Sequence, residues 1–370
     1  MRILLTGESA AGHLSPIIAI YDEIREIAKE TDLKPLEFML ISSRSHFLQE
    51  MFEETGVPYK VISAPKVRHS FSLQSVLDIF RGVIGFFQAL VYVFDYMPDV
   101  IFSKGGYVSF PVVIVGWMFR IPVVIHESDA VVSPVEKFMF HFAKRVAVSF
   151  ESTRDIYNSP KVFFSGNPVR KFISKGSREK GIKDFALDEE KPVILILAGS
   201  EGAEVINNLV LKILPDLLRK YQVIHQCGIG NYDKVKSMVE KMNVPNLNDY
   251  RLFPFFKKRI ADAYAVCDLV VSRAGGNTVS EIMTVGKPSI LIPLSSAISD
   301  RQTKNAFYYM QVGAAVLISE KNLKPHLLLD AIDRIFKSDL KILEMRKAAR
   351  KMAHPEAARK IAEEIIKVAK

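Results

Sequence analysis

Short apolar runs alternate with longer amphipathic stretches along the chain. In the first half the strand-like runs are Ile3 to Leu5, Phe38 to Ile41, Tyr59 to Ile62, Val100 to Phe102, Val123 to Ile125 and Val146 to Val148. Each is short and rich in β-branched residues, and helical periodicity fills the stretches between them. The pattern pauses around Gly166-Asn-Pro-Val-Arg170. A Lys-, Gly- and Ser-rich segment, Lys171 to Asp184, then reads as a linker. Alternation restarts with Val193 to Leu197, Val223 to His225, Leu269 to Val271, Ser289 to Ile292 and Ala315 to Ile318. A final amphipathic helix, Pro355 to Val368, is expected to pack back on the first domain. Repeated βαβ units build parallel sheets covered on both faces. The expected fold is α/β: two doubly wound, Rossmann-like parallel-sheet domains facing a central cleft. The expected boundaries are 1–168 and 169–354, with 355–370 returning to the first domain.

Composition narrows this only a little. The chain has 370 residues, enough for two cores, and its 49% hydrophobic and 25% charged residues are globular proportions. The net charge of +9 calls for an anionic partner: phosphate ligands, acidic lipid or nucleic acid. No Lys/Arg run is interleaved with aromatics in the manner of RNA readers, so nucleic acid is not expected. Cys227 and Cys267 lie in or beside apolar strands and read as reduced buried thiols. No Cys/His cluster suggests a metal, and Met1 runs straight into a strand, so no signal peptide is expected.

Phe71 to Phe94 is the most apolar stretch, interrupted by Gln74, Asp78, Arg81 and Gln88. Its uninterrupted part is too short for a bilayer span of about 20 residues. Lys66, Arg68 and His69 precede it, and Trp117-Met-Phe-Arg120 adds a second apolar cluster with a cation. A membrane-surface patch fits this composition; so does an ordinary core helix.

The candidate chemistry sits in loops that follow strands. Ser272-Arg-Ala-Gly-Gly276 ends one strand and opens a helix. Its glycines give backbone freedom and close approach, and the free N–H groups of the next helix suit an anion. Glu281, about a turn further on, suits a ribose diol. Asp300-Arg-Gln302 opens the next helix but one. Gly199-Ser-Glu-Gly-Ala203 reads as a second anion-binding turn through Ser200 and Gly202. In the first half, Thr6 to His13 occupies the phosphate-loop position, before a helix expected near Pro16. It lacks GxGxxG, and Glu8 would repel a phosphate. His13 at such a turn suits a general base, although a histidine bonded only to backbone looks the same in sequence. Ser103 to Pro111 supplies Gly105 and Gly106, and His126-Glu-Ser-Asp-Ala130 supplies two carboxylates and a hydroxyl.

Taken in order, these motifs resemble the MurG family, the glycosyltransferase family 28 enzymes that convert lipid I to lipid II in peptidoglycan synthesis. The resemblance rests on Gly12-His13, Lys104-Gly-Gly-Tyr-Val-Ser-Phe-Pro111, His126-Glu127, Gly166-Asn-Pro-Val-Arg170, Gly199-Ser200 with Gly202-Ala203, Ser272-Arg-Ala-Gly275 with Thr278-Val-Ser-Glu281, and Asp300-Arg-Gln302 with Asn305-Ala306. It implies a GT-B fold, UDP-GlcNAc as donor, and an undecaprenyl-pyrophosphoryl-MurNAc-peptide as acceptor. It also implies peripheral association with the cytoplasmic face of an anionic plasma membrane, no cofactor or metal, and other cell-wall synthesis proteins as partners. By matching motif, Ser200, Arg273 and the Gly275 backbone would hold the donor diphosphate. Arg170 would lie near the phosphates at the domain joint. Glu281 would bind the ribose, Phe256 would lie near the uracil, and Gln302 would contact the GlcNAc hydroxyls. Gly12, His13, Tyr107, Glu127 and Asp129 would face the acceptor, with His13 and Glu127 catalytic in an inverting transfer.

Departures cluster on the acceptor side. The family's first loop has the form TGGGTGGH, whereas this chain reads Thr6-Gly-Glu-Ser-Ala-Ala-Gly-His13. Asp129 stands for the usual Asn, Thr303 for a second Gln, and Val131-Val-Ser-Pro134 lacks the usual Gly. A transferase acting on another lipid, such as diacylglycerol, and a catalytically silent nucleotide-sugar-binding relative therefore stay open. A UDP-sugar epimerase shares the fold but leaves the apolar stretch unexplained.

Overall fold

The computed structural model describes residues 1–33, 35–52, 55–65, 73–294 and 300–370. The chain forms two compact units, Met1–Arg170 with His354–Lys370, and Lys171–Ala353. Lys66, Arg68, His69, Phe71 and residues 295–299 lie outside the described residues.

The first unit is built on a seven-stranded parallel sheet. Its strands are β1 (Arg2–Thr6), β2 (Glu37–Ser42), β3 (Tyr59–Val61), β4 (Val100–Ser103), β5 (Val123–Glu127), β6 (Arg145–Val148) and β7 (Val162–Phe164), in the order β3-β2-β1-β4-β5-β6-β7. β4 and β5 are buried along their whole length, which explains their unbroken apolar runs. On one face Leu4, Ile101, Val123, Ile125 and Val146 pack with Ala89, Val93, Val112 and Val115 from the helices Leu73–Tyr96 and Ser109–Met118. On the other, the helix Ala11–Glu30 packs against the C-terminal helix Ala357–Ala369. The latter buries Ile361, Ala362, Ile365 and Ile366 at helical spacing. Arg359 pairs with Glu30 at 2.6 Å, and Arg145 of β6 with Glu364 at 2.8 Å.

The second unit has six parallel strands: β8 (Val193–Leu197), β9 (Gln222–Gln226), β10 (Tyr250–Phe253), β11 (Leu269–Ser272), β12 (Ser289–Leu291) and β13 (Ala315–Leu317). Their order is β10-β9-β8-β11-β12-β13. Its core packs Ile194, Ile196, Val223, Leu269 and Val271 against Ile206, Val210, Leu214 and Leu217 of the helix Glu204–Leu218. Cys227 and Cys267 are free and buried, and burial pushes both thiols up to about 11.

Three expectations need correction. The supposed linker is structured: a 3-10 turn at Lys171–Lys175 and a helix at Arg178–Phe185. The helix is capped by the Ser177 hydroxyl and held by Asp262, whose carboxylate accepts from the Ser177 N–H at 3.0 Å. Its outward face is polar because only Gly181 and Phe185 are buried. The first helix begins at Ala11, not near Pro16, and contains that proline. Finally, β7 and β10 are additional strands at sheet edges; β7 is only three residues long, and β10 is interrupted by Arg251.

The apolar helix Leu73–Tyr96 has two distinct faces. Ala89 and Val93 are buried. Phe80, Val83, Ile84, Phe87, Val91 and Phe94 line another face, at 49–65% exposure, too open for a core helix. Phe94 touches Phe119, and Trp117 and Met118 continue the exposed apolar surface. Gln88 accepts from the Ser63 N–H at 2.7 Å, and Asp78 pairs with Arg81 at 2.9 Å. Among the described residues, no helix is long and apolar enough to cross a membrane.

Candidate active site

Open parallel sheets bind ligands where the strand order reverses direction, beyond the carboxyl ends of the strands. In the first unit that point lies between β1 and β4. The loop after β1 carries Gly7 to Ala10, and the loop after β4 carries Lys104 to Val108. Gly105 and Gly106 have φ of +82° and +86°, a left-handed conformation that favours glycine. The Tyr107 N–H donates to Glu8 Oε1 at 3.0 Å, so the two loops are joined across the switch point.

His13 lies in the first turn of its helix, where its N–H donates to the Ala10 carbonyl at 2.9 Å. The ring is half-buried, and Nδ1 finds no hydrogen-bond partner among the described residues. That differs from a histidine tied to the backbone through its ring. Burial lowers its pKa below 6.5, and the Lys104 ammonium lowers it further; Glu8, Glu136 and Asp129 act in the opposite sense. Glu127 ends β5 and is 2% exposed. Its Oε1 accepts from the Asp129 N–H at 2.9 Å. Burial, then the carboxylates of Glu136 and Asp129, push its pKa well above the ordinary range, with Lys104 opposing. His126 beside it is held neutral by burial and by Lys104.

His13 and Glu127 thus share Lys104, Glu136 and Asp129 as charged neighbours, and Tyr107 is joined to the same loops through its N–H to Glu8. Two of these neighbours were not singled out in the sequence. Lys104 is 3% exposed, and its Nζ donates to Ser128 Oγ at 3.0 Å. Glu136 is buried and closes a capping box with Ser133 at the start of the helix Pro134–Phe140. The Ser-x-x-Glu spacing was readable as a cap. Its proximity to Glu127 is a product of the fold.

In the second unit the order reverses between β8 and β11. The Gly199-Ser200 turn follows β8, and Arg273-Ala-Gly275 follows β11. Gly199 has φ +87° and open space where a Cβ would stand. Gly202 also has φ +87°, yet it packs back-to-back on Gly228: a Cβ would lie 2.4 Å from the Cys227 carbonyl oxygen. Gly202 therefore also has a packing role. The backbone freedom expected of Gly275 is corrected. Its φ of −69° is ordinary, and what it offers is open space at the start of the helix Gly276–Val285.

Arg273 is largely buried and ion-pairs with Glu320, while its Nη1 also donates to the Ile292 carbonyl at 3.3 Å. Glu281 accepts from the buried Tyr264 hydroxyl at 3.3 Å. Gln302, in the helix Asp300–Gln311, accepts from the Leu294 N–H at 3.0 Å. The same helix is tied to the Gly275 turn by Asn305, whose Nδ2 donates to the Ala274 carbonyl at 3.2 Å. The Phe256 ring is 4% exposed and packs on Phe253 and Phe185, so it offers little ring surface. Gln226, at the end of β9, links it to the donor turn: it accepts from the Phe256 N–H at 2.9 Å and donates to the Gly199 carbonyl at 3.2 Å. Gln226 escaped the sequence reading. Arg170 stands half-buried at the end of the first unit.

The N-terminal domain of glycosyltransferase family 28 matches residues 3–148, and the C-terminal domain of that family matches residues 193–364. A Bacillus cereus protein, "UDP-N-acetylglucosamine--N-acetylmuramyl-(pentapeptide) pyrophosphoryl-undecaprenol N-acetylglucosamine transferase 2", is 36% identical over 95% of this chain and 94% of its own. The chain belongs to glycosyltransferase family 28. A Legionella pneumophila transferase of the same name, without the number, is 35% identical over 90% of this chain and 89% of its own. The solved structure of Acinetobacter baumannii MurG superposes with a TM-score of 0.71 over 99% of both chains at 23% identity. A Neisseria meningitidis UDP-GlcNAc 2-epimerase reaches the same TM-score over 99% of this chain and all of its own, at 13% identity. The two likenesses in shape establish the GT-B fold and nothing finer. Family 28 membership makes the chain a glycosyltransferase.

Proposed function

We propose that this glycosyltransferase moves GlcNAc from UDP-GlcNAc to the MurNAc 4-hydroxyl of lipid I, giving lipid II. The observation that carries this reading is identity above one third, over nearly the full length, to transferases of that name. The site chemistry supports it. The acceptor hydroxyl oxygen attacks the anomeric carbon of GlcNAc, its proton passes to His13, and the bond from that carbon to UDP breaks with inversion. Burial and Lys104 keep His13 neutral and ready to accept that proton. In the second unit, the Gly199-Ser200 turn and the open start of the Gly276–Val285 helix suit the leaving diphosphate. Arg273 joins them by exchanging or sharing its Glu320 partner. Glu281 serves the ribose and Gln302 the GlcNAc hydroxyls.

The exposed apolar face of Leu73–Tyr96, continued by Trp117 and Met118, docks on the cytoplasmic face of the plasma membrane. Exposed Arg81, Arg120, Lys137 and Lys144 lie on or beside the elements that carry it and meet anionic headgroups, each worth about 1 kcal/mol near the surface. Glu8 favours a second reading, in which the acceptor is a lipid without a pyrophosphate, such as diacylglycerol. Product analysis with a short-chain lipid I analogue and diacylglycerol offered together separates the two. A GlcNAc–MurNAc disaccharide is expected, and a glycosylated diacylglycerol as sole product overturns the lipid I reading.

A further inference from the structure

The turn Gly105-Gly106-Tyr107 is clasped by two carboxylates of the chain itself. Its two glycines are left-handed; the Gly105 N–H donates to Ser103 Oγ at 3.2 Å, and the Tyr107 N–H is the donor that the turn presents to an anion. A Cβ on Gly106 would lie 2.5 Å from Glu8 Cγ and 2.9 Å from its Oε1. The Glu8 side chain therefore lies in space that only glycine leaves open. Its Oε1 accepts the Tyr107 N–H at 3.0 Å. A Cβ on Gly105 would meet Glu136 Oε1 at 2.8 Å. Glu8 is half-buried and spans from the loop after β1 to the loop after β4, across the switch point where a ligand belongs.

We propose that Glu8 is a specificity-determining residue for the acceptor: its carboxylate fills the anion seat of the Gly105–Tyr107 turn, and an acceptor phosphate reaches that turn only by displacing it. The inference rests on the lipid I reading above. A carboxylate and a phosphate compete for the same N–H donor and repel one another. A sugar without a phosphate meets no such competition. The chain thereby trades affinity for pyrophosphoryl acceptors against a seat that stays satisfied when no acceptor is bound.

The test compares wild type with Glu8→Gln, which removes the charge and keeps an acceptor oxygen, and Glu8→Gly, which empties the seat. KM is measured for a short-chain lipid I analogue and for a MurNAc-peptide alkyl glycoside lacking the pyrophosphate, at saturating UDP-GlcNAc. Glu8→Gly is expected to lower KM for the pyrophosphoryl acceptor about tenfold, the scale of one charge-assisted hydrogen bond, and Glu8→Gln by less. KM for the phosphate-free acceptor is expected to stay unchanged. Equal shifts for both acceptors, no shift, or a rise for the pyrophosphoryl acceptor overturns the proposal. Calorimetric binding of inorganic pyrophosphate, with UDP saturating the donor side, gives a readout that needs no turnover. Tighter pyrophosphate binding by Glu8→Gly supports the role of Glu8; binding equal to wild type overturns it. Absence of transfer to any acceptor sinks the transferase reading, and the pyrophosphate comparison still decides the role of Glu8.

Discussion

The role proposed for His13 depends on where its ring is held. One ring nitrogen is buried without a hydrogen-bond partner among the described residues, and burial with the nearby Lys104 cation disfavours the charged form. A base must be neutral to act, so a lowered pKa keeps it competent further into acid. The acid limb of kcat/KM is expected to have its midpoint below 6.5. His13→Ala is expected to lower turnover by about 10²-fold or more with UDP-GlcNAc affinity nearly unchanged; unchanged turnover removes it from the mechanism. Glu127 gives a prediction about stability. Its folded pKa is raised, so the proton is held more tightly in the folded than in the unfolded chain. Relative to a permanently neutral side chain, Glu127 costs nothing below about 4.5 and progressively more as pH rises through its folded pKa. Thermal melts of Glu127→Gln should match wild type in acid and exceed it increasingly toward neutral pH. A constant difference across that window contradicts the account. His13, Glu127 and Asp129 drew attention in the sequence because they lie at or just beyond the ends of apolar strand runs. Lys104, Glu136 and Gln226 did not, because their roles arise only when separate loops meet.

Elements were legible wherever burial is complete. The central strands β1, β4, β5, β8 and β11 show as apolar runs because helices cover both faces of the sheet. The three-residue β7 and the Arg251-interrupted β10 did not show, and the helix Arg178–Phe185 looked like a linker because it buries only Gly181 and Phe185. Composition showed that Leu73–Tyr96 is apolar; only the fold shows which side faces out. Val91→Glu, on the exposed face, is expected to weaken binding to anionic vesicles clearly while changing stability by no more than about 0.5 kcal/mol. Undiminished vesicle binding would remove the helix from the docking face. Gly202→Ala makes the opposite kind of test. Its φ of +87° and the Cys227 carbonyl oxygen, 2.4 Å from where a Cβ would stand, leave no room for a methyl group. A loss of about 2 kcal/mol or more is expected in denaturant unfolding. A neutral result contradicts the packing role.

At the scale of the whole molecule, the chain leaves its first unit at Arg170 and returns to it at His354. The returning helix buries Ile361, Ala362, Ile365 and Ile366, so it is part of the first unit's core. The net charge of +9 suits both ligands of the reaction, each a phosphate ester, and an anionic membrane. The shared shape with an epimerase shows why fold alone did not decide the activity: the same pair of sheets serves both. The central claim is the transfer itself. The most direct measurement is transfer of labelled GlcNAc from UDP-GlcNAc to a short-chain lipid I analogue, with product mass and released UDP read together. The account predicts a disaccharide-bearing lipid and UDP in equal amounts; UDP-GlcNAc binding with neither product contradicts it.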